Sequence, residues 1–263
     1  MNRVNKNYLI FFISVMVLVV IVAMKYNPAG YPPASTCMPL DLYLYYTEAT
    51  PSLTAAVEVG DRTLDVDSVT SVDIGDVITI YEDDHIFQSL VMGISTLTIA
   101  VGSPIDYAFT TDAVCDIGLW SMNVDGSSTP VTFSIKSPPN IDFCIHTIGI
   151  SILDASAMDD GTFGGRPVLA NGIYFSREYQ GIYKNLALIV NNLGFREIGF
   201  TTSYSAKAPA GQYGFSATRD IDDVNGIVLV LSHSAQDTFS VTIQDDLTVL
   251  DTFACVCNGH EKQ

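Results

Sequence analysis

The stretch VDSVTSVDIGDVITIYEDDHIFQSLVMGISTLTIAVGSPIDYAF (residues 66–109) contains the clearest structural pattern in this sequence. Short runs rich in Val, Ile and Thr, such as DVITIY (76–81) and TLTIAV (96–101), alternate with breaks rich in glycine or acidic residues. β-Branched residues with a period of two are typical of β-strands. Gly75 permits the backbone of a tight turn, and the side chain of Asp76 can hydrogen-bond that turn. The stretch therefore predicts successive strands joined by tight turns.

The same texture continues over the rest of the body, where no acid-capped helix of three turns is evident. The sequence KSPPN (136–140) is the strongest internal break, because a double proline ends a strand. We therefore predict an all-β fold with two β-sandwich or jelly-roll-like domains, residues 40–135 and 141–263. Segment 178–192 fits a short helix or a strand pair, and its glycine favours the strand pair. A further strand is predicted near 195–205.

Tyr8 to Met24 (YLIFFISVMVLVVIVAM) is the only long apolar run in the chain. At about 1.5 Å per residue it spans roughly 25 Å, near the lower limit for a hydrocarbon core. We predict a tail (1–7), a single transmembrane helix (8–24) and a proline-rich stalk (25–39). Basic residues are more numerous before the run than after it, which predicts a cytoplasmic or virion-interior N-terminus and an external body. The alternative is a cleaved signal peptide, but the run is long for one and the best cleavage point is poor.

The charge of the body limits its partners. From residue 31 onward the chain keeps nine of its 12 basic residues and all 29 acidic ones, a net charge of −20. Such a field repels phosphate backbones, so we expect no nucleic-acid partner. The expected partners are the bilayer, through residues 8–24, and further copies of the chain or other shell or surface proteins.

Two passages carry a family resemblance. The phrases VDIGDVITI and LTIAVGSPIDYAF within residues 66–109, and the ending IQDDLTVLDTFACVCNGH (243–260), resemble β-rich modules of bacteriophage virion proteins. The shared features are mostly turn residues and cover about a third of the chain. The resemblance implies a structural or attachment role in a virion, and it carries over no catalytic residue.

Acidic turns provide the only candidate metal ligands. Asp222 and Asp223 lie in a loop similar to a calcium loop, but Leu231 stands where such a loop needs a carboxylate. Asp159 and Asp160 form a second oxygen-rich turn. Calcium is therefore the one candidate cofactor, and an ordinary acidic turn is the alternative at both places.

No catalytic residue is predicted. The sequence contains no G-x-S-x-G motif, P-loop, dinucleotide fingerprint or zinc-ligand spacing, so we expect that the protein is not an enzyme. Its five cysteines are expected to be small buried residues, with a bridge from Cys37 as the alternative in an oxidising compartment.

The segment after the stalk is the predicted contact between molecules. As a strand, Leu40–Tyr46 places its leucines on one face and Tyr43 and Tyr45 on the other. The interface candidates are Tyr43, Tyr45 and Tyr46. The alternative is that the protein's own body covers these side chains.

Together these features predict a membrane-anchored structural or attachment protein that works as an oligomer. The most concrete form is a virion component of a membrane-containing bacteriophage. A bacterial surface adhesin or carbohydrate-binding protein is the alternative, with Trp120 and the tyrosines as a sugar-binding face. A membrane-tethered hydrolase is a third hypothesis.

Overall fold

The computed structural model describes residues 39–262, except residues 84, 138, 139, 141, 164, 165, 167, 180, 206–210 and 222–228. The predicted tail, the transmembrane helix at 8–24 and all but the last residue of the stalk lie outside the described residues. Within that described part, no helix is long and apolar enough to cross a membrane.

The described body is all-β, as the sequence predicts. Its strands, in chain order, are β1 (Pro39–Leu44), β2 (Tyr46–Ala49), β3 (Thr63–Asp65), β4 (Val77–Glu82), β5 (His85–Ser95), β6 (Thr98–Val101), β7 (Val114–Leu119), β8 (Ser121–Met122), β9 (Val131–Lys136), β10 (Asp142–Asp154), β11 (Ile173–Tyr179), β12 (Ile182–Ile189), β13 (Thr201–Ser205), β14 (Tyr213–Asp220), β15 (Leu229–Leu231), β16 (Thr238–Ile243) and β17 (Thr252–Lys262). Helix is limited there to α1 (Asn192–Glu197) and a 3₁₀ turn (His233–Ala235).

The strands form three antiparallel sheets. Sheet I has the order β1-β17-β10-β14-β13, with β15 also paired to β10 and β8 to β17. Sheet II has the order β12-β11-β16-β9, and sheet III the order β2-β7-β4-β5-β6-β3. The pairing of β1 with β17 joins the start of the body to its end.

Two hydrophobic clusters lie among these sheets. The larger takes buried residues mainly from sheets I and II, and the rings of Phe133 on β9 and Phe253 on β17 meet within it at 5.8 Å. The smaller lies within sheet III and the loops around it. The sheets do not separate at residues 136–140, because β1, β8 and β9 precede that break yet pair with strands that follow it. The division into two domains stays a prediction.

Local chemistry explains where the predicted elements form. Gly75 has a φ of +102°, and the carboxylate of Asp76 accepts the backbone N–H of Asp73 at 2.7 Å, as expected for this turn. Segment 178–192 contains the end of β11, the turn at Gly181 and all of β12, so it forms a strand pair as predicted. The prediction of a strand near 195–205 is wrong for its first residues, which belong to α1. The helix forms there because the Asn191 side chain caps it by accepting the N–H of Gly194.

The cysteines within the described residues behave as predicted. Cys115, Cys144, Cys255 and Cys257 are all buried. Burial raises the pKa of the Cys115 thiol to about 12, so this thiol is protonated at neutral pH and unreactive.

Candidate functional site

Tyr45, one of the three interface candidates, lies inside the body. Its side chain is 3% exposed, its hydroxyl shares a hydrogen bond with that of Tyr81 at 3.1 Å, and it donates to Asp116 at 3.4 Å. Burial raises the pKa values of both Tyr45 and Asp116. Tyr81 and Asp116 belong to sheet III, while the backbone of Tyr45 bridges to Ser134 of sheet II. Tyr45 therefore connects sheets II and III and presents no surface to a neighbouring molecule.

Tyr43 lies on an edge that the protein's own body covers. Its backbone N–H donates to Gln88 Oε1 at 2.6 Å, and Gln88 Nε2 donates back to its carbonyl at 3.1 Å. The amide of Gln88 thus takes the place of a neighbouring strand beside β1. The ring of Tyr43 packs on Trp120 at 4.7 Å, which leaves Tyr46, 37% exposed, as the accessible tyrosine of the three.

β12, at the end of sheet II, is an accessible edge strand rich in apolar residues. Four of its eight residues are large hydrophobic side chains that are 47 to 68% exposed: Ile182, Tyr183, Leu186 and Leu188. In the described structure β11 is its one strand neighbour, so its outer backbone edge faces away from the sheet. Exposed apolar edge strands are the surfaces on which sheets add further strands.

The sequence of β12 contained a signal for this surface. Its large apolar residues occupy both odd and even positions, which is typical of a strand covered on both faces rather than of a half-exposed one. The structure places the strand at a sheet edge and leaves Ile182, Tyr183, Leu186 and Leu188 exposed. The sequence predicts a strand pair here, but the predicted contact between molecules lies at the tyrosines after the stalk and not at this strand.

The acidic turn at Asp159 and Asp160 is engaged by other groups. The Asp159 carboxylate accepts the backbone N–H of Gly161 at 2.9 Å. Asp160 accepts the hydroxyl of Tyr204 at 2.7 Å and forms an ion pair with Arg196 at 2.8 Å. A calcium ion at this turn would have to compete with the Arg196 guanidinium. Calcium binding here stays a prediction.

The other predicted calcium ligands, Asp222 and Asp223, lie outside the described residues. Within the described ranges, no group of three or more His, Cys, Asp and Glu side chains could hold a metal ion. His146 and His260 stack with their ring centres 4.5 Å apart. Burial, and then the proximity of His146, lower the pKa of His260, so the His260 imidazole is neutral near pH 7.

Comparisons with known proteins add little to this picture. No protein-family model matches the sequence, and no curated protein matches it either. Among solved structures, the chain shows a likeness to a chain of "Structure of infectious bursal disease virus Gx strain". The identity is 10%, over 91% of this chain and 80% of that one, with a TM-score of 0.11. A TM-score this low supports no conclusion about fold or function.

Proposed function

We propose that this chain is a membrane-anchored structural or attachment protein whose β-rich body works in a multi-copy assembly. Residues 8–24 would hold it in the bilayer, with the N-terminus inside and the body outside. Sheets I and II would act as a β-sandwich that carries the assembly contact. The most concrete setting is the virion of a membrane-containing bacteriophage.

The observation that carries the proposal is the apolar outer edge of β12. The natural occupant of such an edge is the same strand of a second copy, because two antiparallel copies of β12 would bury each other's Ile, Leu and Tyr side chains and pair their outer backbone groups. Isologous contacts of this kind are the commonest route to symmetric oligomers.

Charge also favours this edge. The body carries a net charge of −20, so most faces of two copies repel each other. β12 (IYKNLALI) contains no acidic residue and one cation, Lys184. Two copies can therefore approach along β12 without bringing carboxylates of that strand together.

A matched pair of isoleucines tests the contact. Ile182 in β12 and Ile74 in the turn before β4 are each 68% exposed. We expect Ile182→Asp to weaken self-association of the full-length protein by roughly tenfold or more, because a carboxylate would be desolvated in the contact. Ile74→Asp adds the same charge and should leave association unchanged. Sedimentation velocity in a mild non-ionic detergent measures both, and equal effects of the two variants would contradict the β12 contact.

The adhesin alternative has one observation in its favour, the half-buried Trp120 beside Tyr43. Their rings lie at 54° to each other, so only one of them could lie flat against a sugar. If this hypothesis holds, Trp120→Ala should abolish binding to surface polysaccharide and leave association through β12 intact. If the protein serves only in assembly, neither the wild type nor Trp120→Ala should show saturable polysaccharide binding.

A further inference from the structure

A cavity of about 460 Å³ lies between sheets I and II. Its lining includes three buried phenylalanines, Phe175, Phe200 and Phe239, contributed by β11, the residue before β13, and β16. The ring centres of Phe175 and Phe200 lie 5.6 Å apart, and those of Phe175 and Phe239 lie 6.4 Å apart. The interior of the cavity is therefore apolar and aromatic.

Cations line the same cavity, although the chain is acidic. Three of its 12 Lys and Arg residues, Arg177, Lys184 and Arg219, are among the lining residues. None of its 29 acidic residues is among those that the structure shows there. Arg177 and Lys184 are direct cross-strand partners, and Arg219 comes from β14 of the opposite sheet. Like charges opposite each other are unfavourable, so this grouping is stabilised when an anion joins it.

Two of these cations are available to a ligand. Arg177 is already engaged, by Asp237 at 3.4 Å and by a backbone carbonyl of β15. Lys184 and Arg219 form no ion pair with any acidic residue in the described part of the chain. Asp220, next to Arg219, hydrogen-bonds a threonine of β10, and strand alternation directs it to the other face of the sheet.

We propose that this cavity binds an amphipathic carboxylate. The apolar part of the ligand lies among the phenylalanines, and its carboxylate meets the guanidinium of Arg219 and the ammonium of Lys184. A carboxylate matches the planar fork of arginine. A volume of 460 Å³ equals the liquid share of about 15 water molecules, so a ligand of roughly 10–15 non-hydrogen atoms fits. The cavity lining, and not association through β12, supports this site, so it goes beyond the assembly role.

The test uses the full-length protein in lipid nanodiscs, with protein-free nanodiscs subtracted to remove partition into lipid. The probes are decanoate, which has an acyl chain, and naphthalene-2-carboxylate, which has an aromatic body. Naphthalene-2-carboxamide has the same shape as the second probe without its charge. Isothermal titration calorimetry should show one saturable site per chain for at least one carboxylate and much weaker binding of the carboxamide. The carboxylate that binds with the higher affinity then shows whether the ligand class is acyl or aromatic.

Variants locate the site. We expect Arg219→Gln to weaken carboxylate binding by roughly tenfold or more, and Lys184→Gln by roughly threefold. Arg62 is an exposed arginine directly before β3, and its guanidinium donates to the Gly102 carbonyl at 3.0 Å. Arg62→Gln makes the same charge change and should alter binding less than about twofold.

Three results would overturn the proposal. They are the absence of saturable binding, equal affinity for the carboxamide, and equal loss in Arg62→Gln and Arg219→Gln. Circular dichroism melts check that each variant is folded. If Arg219→Gln does not fold, Lys184→Gln on the exposed edge decides, and an unchanged affinity there rejects the site.

Discussion

At the scale of single residues, buried carboxylates organise the loops of this acidic protein. Asp245 is 4% exposed and accepts the backbone N–H groups of Ala170, Asn171 and Gly172 at 3.1, 2.9 and 2.6 Å. These bonds fix the loop before β11 against the end of β16. A carboxylate is suited to this role because it can accept several donors at once.

Asp245→Ala should therefore destabilise the protein strongly. Three buried or half-buried N–H groups lose their acceptor, and we expect the free energy of unfolding to fall by about 3 kcal/mol. Urea unfolding followed by circular dichroism measures it. The adjacent Asp246 is more exposed, and its carboxylate binds Arg166 at 3.0 Å. Asp246→Ala is the control and should cost much less. A loss of equal size in both variants would contradict the argument.

Asp116 makes the stability of the protein depend on pH. Burial raises its pKa, while Lys136 and the hydrogen bond from Tyr45 lower it less. The folded state therefore holds this proton to higher pH than the unfolded state does, so its contribution to stability falls as pH rises above the ordinary Asp pKa. Asp116→Asn keeps an acceptor for Tyr45 and removes the charge.

We expect Asp116→Asn to be more stable than the wild type at pH 7, with the difference shrinking towards pH 4. Thermal unfolding across this range checks it. The opposite result is that Asp116→Asn, compared with the wild type, loses stability between pH 4 and pH 7. That result would show that the carboxylate is needed in its charged form.

At the scale of elements, Gln88 shows how an edge strand is protected from neighbours. Its side-chain amide pairs with both backbone groups of Tyr43, so β1 offers no free edge at that residue. β12 carries no comparable cover in the described structure. The two edges therefore differ in backbone cover, although both strands consist largely of apolar and aromatic residues.

Gln88→Ala should lower the free energy of unfolding by about 1–2 kcal/mol, because the N–H and C=O of Tyr43 lose their partner. Gln212→Ala is the control, since the Gln212 amide donates to the side chain of Asp251 near the surface. Urea unfolding of both variants measures the difference. Equal stability of Gln88→Ala and the wild type would mean that water replaces the amide at no cost.

The elements also show what the sequence could predict. β4 and β6 were predicted because β-branched residues dominate them. β14 was missed, because its buried positions include the small Ala217 and its apolar signal is weak. The cavity cations were missed for a different reason. Arg219 lies far in sequence from the Arg177–Lys184 pair, and a single basic residue in a strand indicates only a solvent-facing position.

At the scale of the whole molecule, the sheets depend on pairing between segments that lie far apart in the sequence. The sheet partners of β1 and β9 come from the last part of the chain, which no local pattern reveals. The double proline at Pro138–Pro139 correctly predicted the end of a strand, since β9 ends at Lys136, but not which strands pair across it. The net charge of −17 follows directly from the composition.

Association through an apolar edge between strongly acidic bodies should strengthen with salt. The Debye length falls from about 30 Å at 0.01 M to about 4 Å at 0.5 M salt, which removes most of the repulsion and leaves the apolar contact of β12 intact. Sedimentation velocity of the full-length protein should show more oligomer in 0.5 M sodium chloride, and Ile182→Asp should suppress that rise. Calcium chloride at matched ionic strength separates screening from ion binding: an equal effect indicates screening alone, and extra association indicates occupied acidic turns. If association weakens with added sodium chloride, opposite charges hold the copies together, and β12 is not the contact.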